Sequence, residues 1–206
     1  MVQDIILTTA YFPSIQYFSK ILHAEYIYIE ACENYSRQSY RNRCNILSCN
    51  GVLPLTIPIK KGASVKQIIT DVRIDYSTNW QRIHLNAIIS AYNKSPFYTY
   101  YSDEILKPIN NNYDTLFELN KNILQVILEL VHIKKEIQNT SSFIKKYDEN
   151  VLDYRNSFNP KIRINSSAEN IVNTYIQTFS DRFEFVPYLS ILDLIFNVGP
   201  ETKDYL

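Results

Sequence analysis

The sequence predicts an α/β fold that opens with a βαβ unit, has a central mixed sheet flanked by helices, and adds a β-hairpin. Two strand-like runs near the N-terminus enclose a helix-length amphipathic segment, as in a parallel crossover. An Asn-Gly pair lies between two apolar segments, and helical apolar periodicity follows. The length of 206 residues predicts a single domain over residues 1–206.

The opening unit spans residues 5–30. Residues 5–9 form a β-branched apolar run, and the Tyr-Phe-Pro sequence at 11–13 ends it because proline fixes φ. Ser14 is the predicted N-cap of a helix whose apolar residues recur at helical spacing. Residues 25–30 are β-branched and aromatic, which predicts a second strand, parallel to the first and next to it.

The hairpin is predicted from residues 44–48 and 52–59, which flank Asn50-Gly51. Both turn residues tolerate the positive φ of a type I′ turn. Prolines in the second arm place it at a sheet edge. Residues 68–74 alternate in character and predict a further strand, with three inward residues, Ile69, Val72 and Ile74.

Helical periodicity dominates the rest of the chain. From Asn79, four buried-face residues are spaced by four: Trp80, His84, Ile88 and Tyr92. A short helix is predicted within 97–105, and Asp114 is the predicted cap of the next helix, whose wet face is marked by Glu118 to Lys121 or Asn122. The terminal apolar helix is closed by Gly199-Pro200. Residues 134–170 are predicted to be a loop-rich, shortened segment, with an Asn/Ser-rich stretch at 162–170.

Composition excludes several classes of protein. The chain has 21 basic and 21 acidic residues, and a neutral chain predicts no nucleic-acid partner. No membrane span and no signal peptide are recognisable, which predicts a cytoplasmic protein. The spacing of Cys32, Cys44 and Cys49 fits no zinc pattern, so no metal site is predicted. Three glycines and no phosphate-binding glycine motif leave the cofactor unknown.

Loops at strand ends usually carry the binding chemistry of an α/β fold, and residues 34–43 form such a loop, rich in Tyr, Asn and Arg. Tyrosine combines an apolar ring with a hydrogen-bonding hydroxyl, which suits a sugar or nucleotide pocket. The alternative for the 17 tyrosines is a compositional bias that also enriches Ile, Asn and Lys. The predicted substrate-binding residues are Tyr11, Tyr17, Asn34, Tyr35, Tyr40, Asn42, Arg43, Trp80 and Tyr92.

His84 and Glu30 are the predicted catalytic residues. Imidazole titrates near neutrality, so His84 is a candidate general base or acid, with Glu30, Asn34 or Tyr40 as partner; the alternative is a structural histidine. For Arg43 the alternative is an ion pair with Glu30 or Glu33. Asp193 and Asn197 share a face of the last helix, where a scaffold role is predicted.

Five ordered motifs together resemble the WbqC-like family: AYFPSIQYF, the loop NY…YRNR, LPLTIPI, W…HLNAIISAYNKSPFY and YLSILDLIFNVGPE. They cover the first 110 residues and the C-terminal segment. The chain is similar to a short form of the family, because the stretch 162–170 stands where other members have an additional α/β segment. The positions that match are Tyr11, Pro13, Tyr17, Asn42, Arg43, Trp80, His84, Tyr92, Pro96, Asp193 and Asn197. The resemblance implies a role in bacterial surface polysaccharide (O-antigen-type) biosynthesis.

Three functional hypotheses follow. The first is a group-transfer enzyme, for example one that transfers an acyl or aminoacyl group to a nucleotide-linked amino sugar. The second is a nucleotidyltransferase-like enzyme that binds a nucleotide at the first strand-helix junction. The third is a non-catalytic sugar-binding or assembly protein. In each case the expected partner is a small molecule or nucleotide sugar, and a homo-oligomer is left open.

Overall fold

The computed structural model describes residues 3–60, 66–158 and 173–206. Its strands are β1 (Asp4–Thr8), β2 (Ile27–Glu30), β3 (Arg43–Ser48), β4 (Gly51–Thr56), β5 (Ile137–Asn139) and β6 (Val151–Asp153). Its helices are α1 (Ile15–His23), α2 (Trp80–Tyr92), α3 (Tyr98–Asn110), α4 (Leu116–Leu130) and α5 (Ile191–Val198). The predicted α/β class is confirmed: a parallel sheet of order β5-β2-β1-β6 is accompanied by the separate hairpin β3-β4.

The opening βαβ unit is confirmed. Strands β1 and β2 are parallel neighbours, with Ile5 opposite Ile27 and Thr8 opposite Glu30. Ser14 occupies the N-cap position of α1, but its side chain makes no capping hydrogen bond. The backbone N–H of Ile15 instead donates to the carbonyl of Leu189 at 3.1 Å. The chain just before α5 therefore covers the start of α1.

The two outer strands come from the segment that was predicted to be loop-rich. Strand β5 pairs with β2, and β6 pairs with β1, both parallel. Each outer strand has three residues, too few for an alternating pattern to stand out from polar surroundings. Long-range pairing decides these strands. The Asn/Ser-rich stretch 162–170 lies outside the described residues.

The hairpin is confirmed, but the type I′ turn is wrong. Ser48 pairs with Gly51, so the two-residue loop is Cys49-Asn50. Gly51 has a φ of 100°, whereas Asn50 is not among the described non-glycine residues with positive φ. The glycine therefore supplies the left-handed conformation at the first position of β4.

The predicted strand over 68–74 is also wrong, because Ile69–Asp71 forms a short 3₁₀ helix. The three predicted inward residues, Ile69, Val72 and Ile74, are nonetheless buried. Backbone hydrogen bonds attach this segment to the loop after β2 and to the start of α4: Ile69 N–H donates to the carbonyl of Glu33, and Leu116 N–H donates to the carbonyl of Val72. Apolar residues that are buried without forming a continuous strand ladder can show the same spacing in the sequence as those of a strand.

The helices agree with the periodicity. All four residues of the predicted α2 stripe, Trp80, His84, Ile88 and Tyr92, are buried. Helix α4 is capped by Thr115 rather than Asp114, in a reciprocal capping box with Glu118. Helix α5 ends at Gly199, as predicted. In the described part of the chain, no helix is both long and apolar enough to cross a membrane.

Asp193 on α5 is completely buried. Its Oδ2 accepts hydrogen bonds from the Tyr175 hydroxyl at 2.6 Å and from Gln177 Nε2 at 2.9 Å. Gln177 in turn exchanges two hydrogen bonds with the backbone of Val186. These contacts fasten the chain before α5 to that helix, which fits the predicted scaffold role of Asp193.

Candidate functional site

Polar side chains collect at the carboxyl edge of the parallel sheet, where α/β folds bind ligands. Glu30 ends β2, Asp153 ends β6, and Thr140 directly follows β5. Arg155 lies two residues beyond β6. Parallel strands bring their carboxyl ends to one edge, so residues more than a hundred positions apart meet here.

The Glu30 carboxylate is held by residues that follow β2, β5 and β6. Its Oε1 accepts from the Thr140 hydroxyl at 2.6 Å and from the Cys32 N–H at 3.0 Å. Its Oε2 accepts from Arg155 Nη1 at 2.9 Å, and the Glu30 side chain is 0% exposed. Both oxygens are thus occupied, so the geometry favours a positioning role for Glu30 over that of a free base. Its predicted catalytic role stays a prediction.

Arg155 joins Glu30 to the end of β6. Its Nε and Nη2 donate to the two carboxylate oxygens of Asp153 at 2.9 and 2.6 Å. These charge-assisted bonds hold the pKa of the Asp153 carboxyl below its usual range. Phe143 and Tyr147 lie over the guanidinium, with ring centroids 4.9 and 5.1 Å from its carbon. Sequence reasoning missed Arg155, because no local pattern relates it to Glu30.

The two arginines that bracket Asn42 have different partners. Arg41 is buried and makes a bidentate pair with Glu33, with Nε to Oε1 at 2.7 Å. Arg43 lies on β3 and donates to the Thr56 hydroxyl at 3.1 Å. The ion pair with Glu33 considered for Arg43 is therefore made by Arg41.

A cavity of about 510 Å³ adjoins the carboxyl edge, between the sheet and α4. This volume is in the range of small-molecule sites. Buried residues that form its interior include Thr9, Ala10, Tyr17, Ile29, Phe117, Asn120, Leu124, Leu128 and Ile133. Exposed polar residues surround its mouth: Lys121, Gln125, Glu129, His132, Lys134 and Asn139.

Asn120 is the buried amide of this cavity, at 1% exposure. Its Nδ2 donates to the carbonyl of Arg41 at 2.8 Å. Its Oδ1 has no hydrogen-bond partner. The prediction that placed 118–121 on a wet face is wrong at this position, because Asn120 continues the stripe of Leu116 and Leu124 at a spacing of four. A polar residue on a buried stripe was the signal that could have identified it.

Among the nine predicted substrate-binding residues, Tyr17 lines the cavity. The structure places the others elsewhere. The Tyr17 hydroxyl donates to the carbonyl of Thr8 at 2.9 Å, the Asn42 amide donates to Ile57, and the Tyr92 hydroxyl accepts from Leu47 N–H. The Tyr40 hydroxyl accepts from Asn45, and Asn34 forms a bridge to Ile68. Tyr35 and Trp80 are buried, at 3% exposure each. Their substrate-binding roles stay predictions.

His84 differs from expectation in its partners. Its Nδ1 lies 2.9 Å from the Tyr11 hydroxyl, and the imidazole also hydrogen bonds to the carbonyl of Thr56. The predicted partners Glu30, Asn34 and Tyr40 have other contacts. Burial lowers the pKa of His84 from 6.5 to about 4, and the side chain is 3% exposed. This geometry favours the structural alternative, in which a neutral imidazole joins α2 to the loop after β1.

We therefore expect His84 to make stability depend on pH. In the unfolded chain the His84 imidazole binds a proton below about pH 6.5, whereas in the folded protein it stays neutral down to about pH 4. Stability is thus retained above pH 6.5 and falls between pH 6.5 and 4, by about 3 kcal/mol in total. Urea unfolding of wild type and His84→Gln at pH 7.5 and 4.5 measures this. The stability advantage of wild type should shrink at pH 4.5, and an equal advantage at both pH values would contradict the assignment.

No cluster of three His, Cys, Asp or Glu side chains with the geometry of a metal site occurs within residues 3–60, 66–158 and 173–206. The polar groups that line the cavity are amide, hydroxyl, lysine and imidazole groups and the carboxylate of Glu129, around an apolar interior. Such a lining can hold an apolar group inside and an anion at the mouth.

Comparison with known proteins places the chain in a family. The WbqC-like protein family matches residues 9–174. The chain is similar to the uncharacterized protein Rv1507c of Mycobacterium tuberculosis (strain ATCC 25618 / H37Rv), at 26% identity over 231 aligned residues, which cover 98% of this chain and 96% of that protein. No solved structure matches the chain. Because the family match spans well over half of the 206 residues, the chain belongs to the WbqC-like protein family, as its motifs predicted.

Proposed function

We propose that the protein is a group-transfer enzyme of bacterial surface polysaccharide assembly, which transfers an acyl or aminoacyl group to a nucleotide-linked amino sugar. The observation that carries this proposal is the cavity of about 510 Å³ at the carboxyl edge of the sheet. Family membership supports the polysaccharide context that the motif resemblance implied. The cytoplasmic location and the homo-oligomer stay predictions.

The reaction is an acyl transfer from a thioester to an amine. The sugar nitrogen attacks the thioester carbonyl carbon, a C–N bond forms, and the C–S bond breaks. The amine loses one proton to a base, and the departing thiolate takes up one proton to leave as a thiol. The products are an amide and a thiol, so atoms and charge balance. The protein must therefore supply a proton acceptor beside the cavity.

His132 is the histidine with the right position. The chain has three histidines, and His132 lines the mouth of the cavity. His84 is sealed in the interior, and His23 lies on the exposed last turn of α1. We assign His132 as the base in this proposal, since histidine is the side chain that most often transfers protons in enzyme sites.

The nucleotidyltransferase-like alternative has less support. In that hypothesis the first strand-helix junction binds phosphate through free N–H groups at the start of the helix. Here the N–H of Ile15 already donates to Leu189, and the Ser190 hydroxyl donates to the carbonyl of Phe12 at 2.9 Å. The first N–H of α1 is thus already engaged by the protein's own chain, which weakens this hypothesis.

Thiol release in the presence of amino sugars tests the proposal. The purified protein is incubated with an acyl thioester and nucleotide-linked amino sugars, and the thiol and the N-acylated product are quantified. His132→Gln should lower turnover about a hundredfold without weakening substrate binding. The matched control His23→Gln replaces an exposed histidine away from the cavity and should leave turnover unchanged.

One result would overturn the transfer function, and another would overturn the assignment of His132. Tight binding of a nucleotide sugar with no thiol release from any acyl donor would favour the non-catalytic alternative. Equal turnover by His132→Gln and wild type would show that His132 is not the base.

A further inference from the structure

A groove of about 440 Å³ runs between α2 and α3. Its apolar lining includes Leu85 and Ile89 of α2 and Leu106 of α3. Ile89 is 40% exposed, so this aliphatic side chain is open to solvent. The residues that line the groove all differ from those that line the cavity, and this surface is therefore separate from the candidate site.

Tyr100 places an aromatic ring on the groove side of α3. It precedes Asp103 by three positions and Lys107 by seven, and residues at this spacing share one side of a helix. The Tyr100 side chain is 80% exposed. Tyrosine is enriched in protein–protein interfaces, because its ring buries a large area while its hydroxyl can still form a hydrogen bond. Helix α3 thus presents a contact group that is open to solvent.

Two opposite charges line the groove, four positions apart on α3. Asp103 makes no ion pair within the described residues, not even with Lys107 on the same face. Lys107 lies 3.7 Å from Glu104, but both of these side chains are more than 60% exposed, and such a pair contributes little to stability. An acidic and a basic residue on one helix face make that face complementary to itself. When two copies of α3 pack antiparallel about a two-fold axis, Asp103 of each copy lies opposite Lys107 of the other.

The same arrangement brings Tyr100 to the groove of the second copy. In an antiparallel pair the numbers of facing residues have a constant sum, so position 100 faces position 110 when 103 faces 107. The end of α3 lies beside the start of α2, because Gln81 Nε2 donates to the carbonyl of Ile109 at 2.6 Å. Leu85 is one helical turn after Gln81 and lines the groove at this end. Each Tyr100 ring therefore lies at the Leu85 end of the other copy's groove.

We propose that two copies of this chain form a two-fold symmetric dimer through the α3 face and the groove beside it. The Asp103 and Lys107 side chains pair twice across the axis and fix the antiparallel register. The two Tyr100 rings cover the exposed apolar side chains of the grooves. The interface is independent of the proposed reaction, since it contains none of the residues that line the cavity.

Analytical ultracentrifugation of the full chain over a range of concentrations tests the dimer. Asp103→Lys places lysines opposite lysines, and Lys107→Asp places aspartates opposite aspartates, so each variant should weaken dimerisation at least about tenfold. An equimolar mixture of these two variants should recover the wild-type affinity as a heterodimer, because every lysine then faces an aspartate. The double variant with both reversals should recover it as a homodimer.

Tyr100→Ala tests the apolar part of the interface and should also weaken dimerisation at least about tenfold. Glu149→Lys is the matched control for a charge reversal, because Glu149 is exposed and lies outside the groove, just before β6. This control should leave the dissociation constant unchanged. Thermal unfolding checks that each variant is folded, and recovery in the mixture shows the same for the two single reversals.

Three results would overturn the proposal. A wild-type protein that stays monomeric up to about 1 mM would exclude the dimer and leave the groove to a different protein. A dimer that tolerates both single reversals and Tyr100→Ala would have its interface on another surface. Single reversals that weaken the dimer without recovery in their mixture would exclude the pairing of Asp103 with Lys107. None of these results bears on the thiol-release assay, so the transfer function is judged separately.

Discussion

Replacement of Arg155 by methionine is expected to destabilise the protein by about 3–5 kcal/mol. Glu30 is 0% exposed, and Arg155 is its cationic partner, with Nη1 2.9 Å from Oε2. Removal of the guanidinium leaves a buried carboxylate without a compensating charge. It also removes the bidentate contact that holds Asp153. The free energy of unfolding from urea titrations at pH 7 measures the loss.

A double-mutant cycle tests the cause of this loss. Glu30→Gln with Arg155→Met removes both charges, and we expect the double variant to be more stable than Arg155→Met alone. Arg182→Met is the matched control, because Arg182 pairs with Asp181 on the surface, with both side chains more than half exposed. That control should change stability by about 0.5 kcal/mol or less. A similarly small effect of Arg155→Met would contradict the buried-charge argument.

Replacement of Gly199 by alanine is expected to cost about 3 kcal/mol. Gly199 has a φ of 56° and a ψ of −118°, a combination that residues with a side chain rarely adopt. An added Cβ would also lie 2.4 Å from two ring carbons of Phe97, so the ring would have to move. Backbone strain and overpacking therefore act at the same position, at the end of α5.

Gly51→Ala separates the two contributions. Gly51 also has a positive φ, of 100°, but an added Cβ would meet no atom within 4 Å. We expect this control to cost about 1 kcal/mol, from backbone strain alone. Midpoints of thermal and urea unfolding should rank wild type above Gly51→Ala, and Gly51→Ala above Gly199→Ala. If the two glycine variants are equally stable, the Phe97 ring moves aside without loss of stability, and the packing argument is wrong.

The 34–43 loop contributes to the candidate site through its backbone rather than through Arg43. The carbonyl of Arg41 fixes the amide of Asn120, while the Arg41 side chain holds Glu33. The loop thus connects the carboxyl edge of the sheet with α4. Side-chain chemistry made this loop prominent in the sequence, but the hydrogen bond that orients the cavity amide comes from its main chain.

The sequence by itself determined the elements whose signals are local. Apolar spacing identified α1, α2, α4 and α5, the β-branched runs identified β1 and β2, and Gly199 marked the end of α5. The ordered motifs identified the family, which the match over residues 9–174 confirms. These features depend on residues within a few turns of one another, where periodicity, proline and glycine act directly.

Tertiary structure alone decided the outer strands and the site. Strands β5 and β6 have three residues each, and their pairing with β2 and β1 rather than their composition makes them strands. Arg155 meets Glu30 across 125 positions of sequence. Burial lowers the pKa of His84, which favours its structural alternative over the predicted role as a base. Contacts between distant segments determine burial and charge pairing. Local sequence patterns do not predict which distant residue becomes the partner.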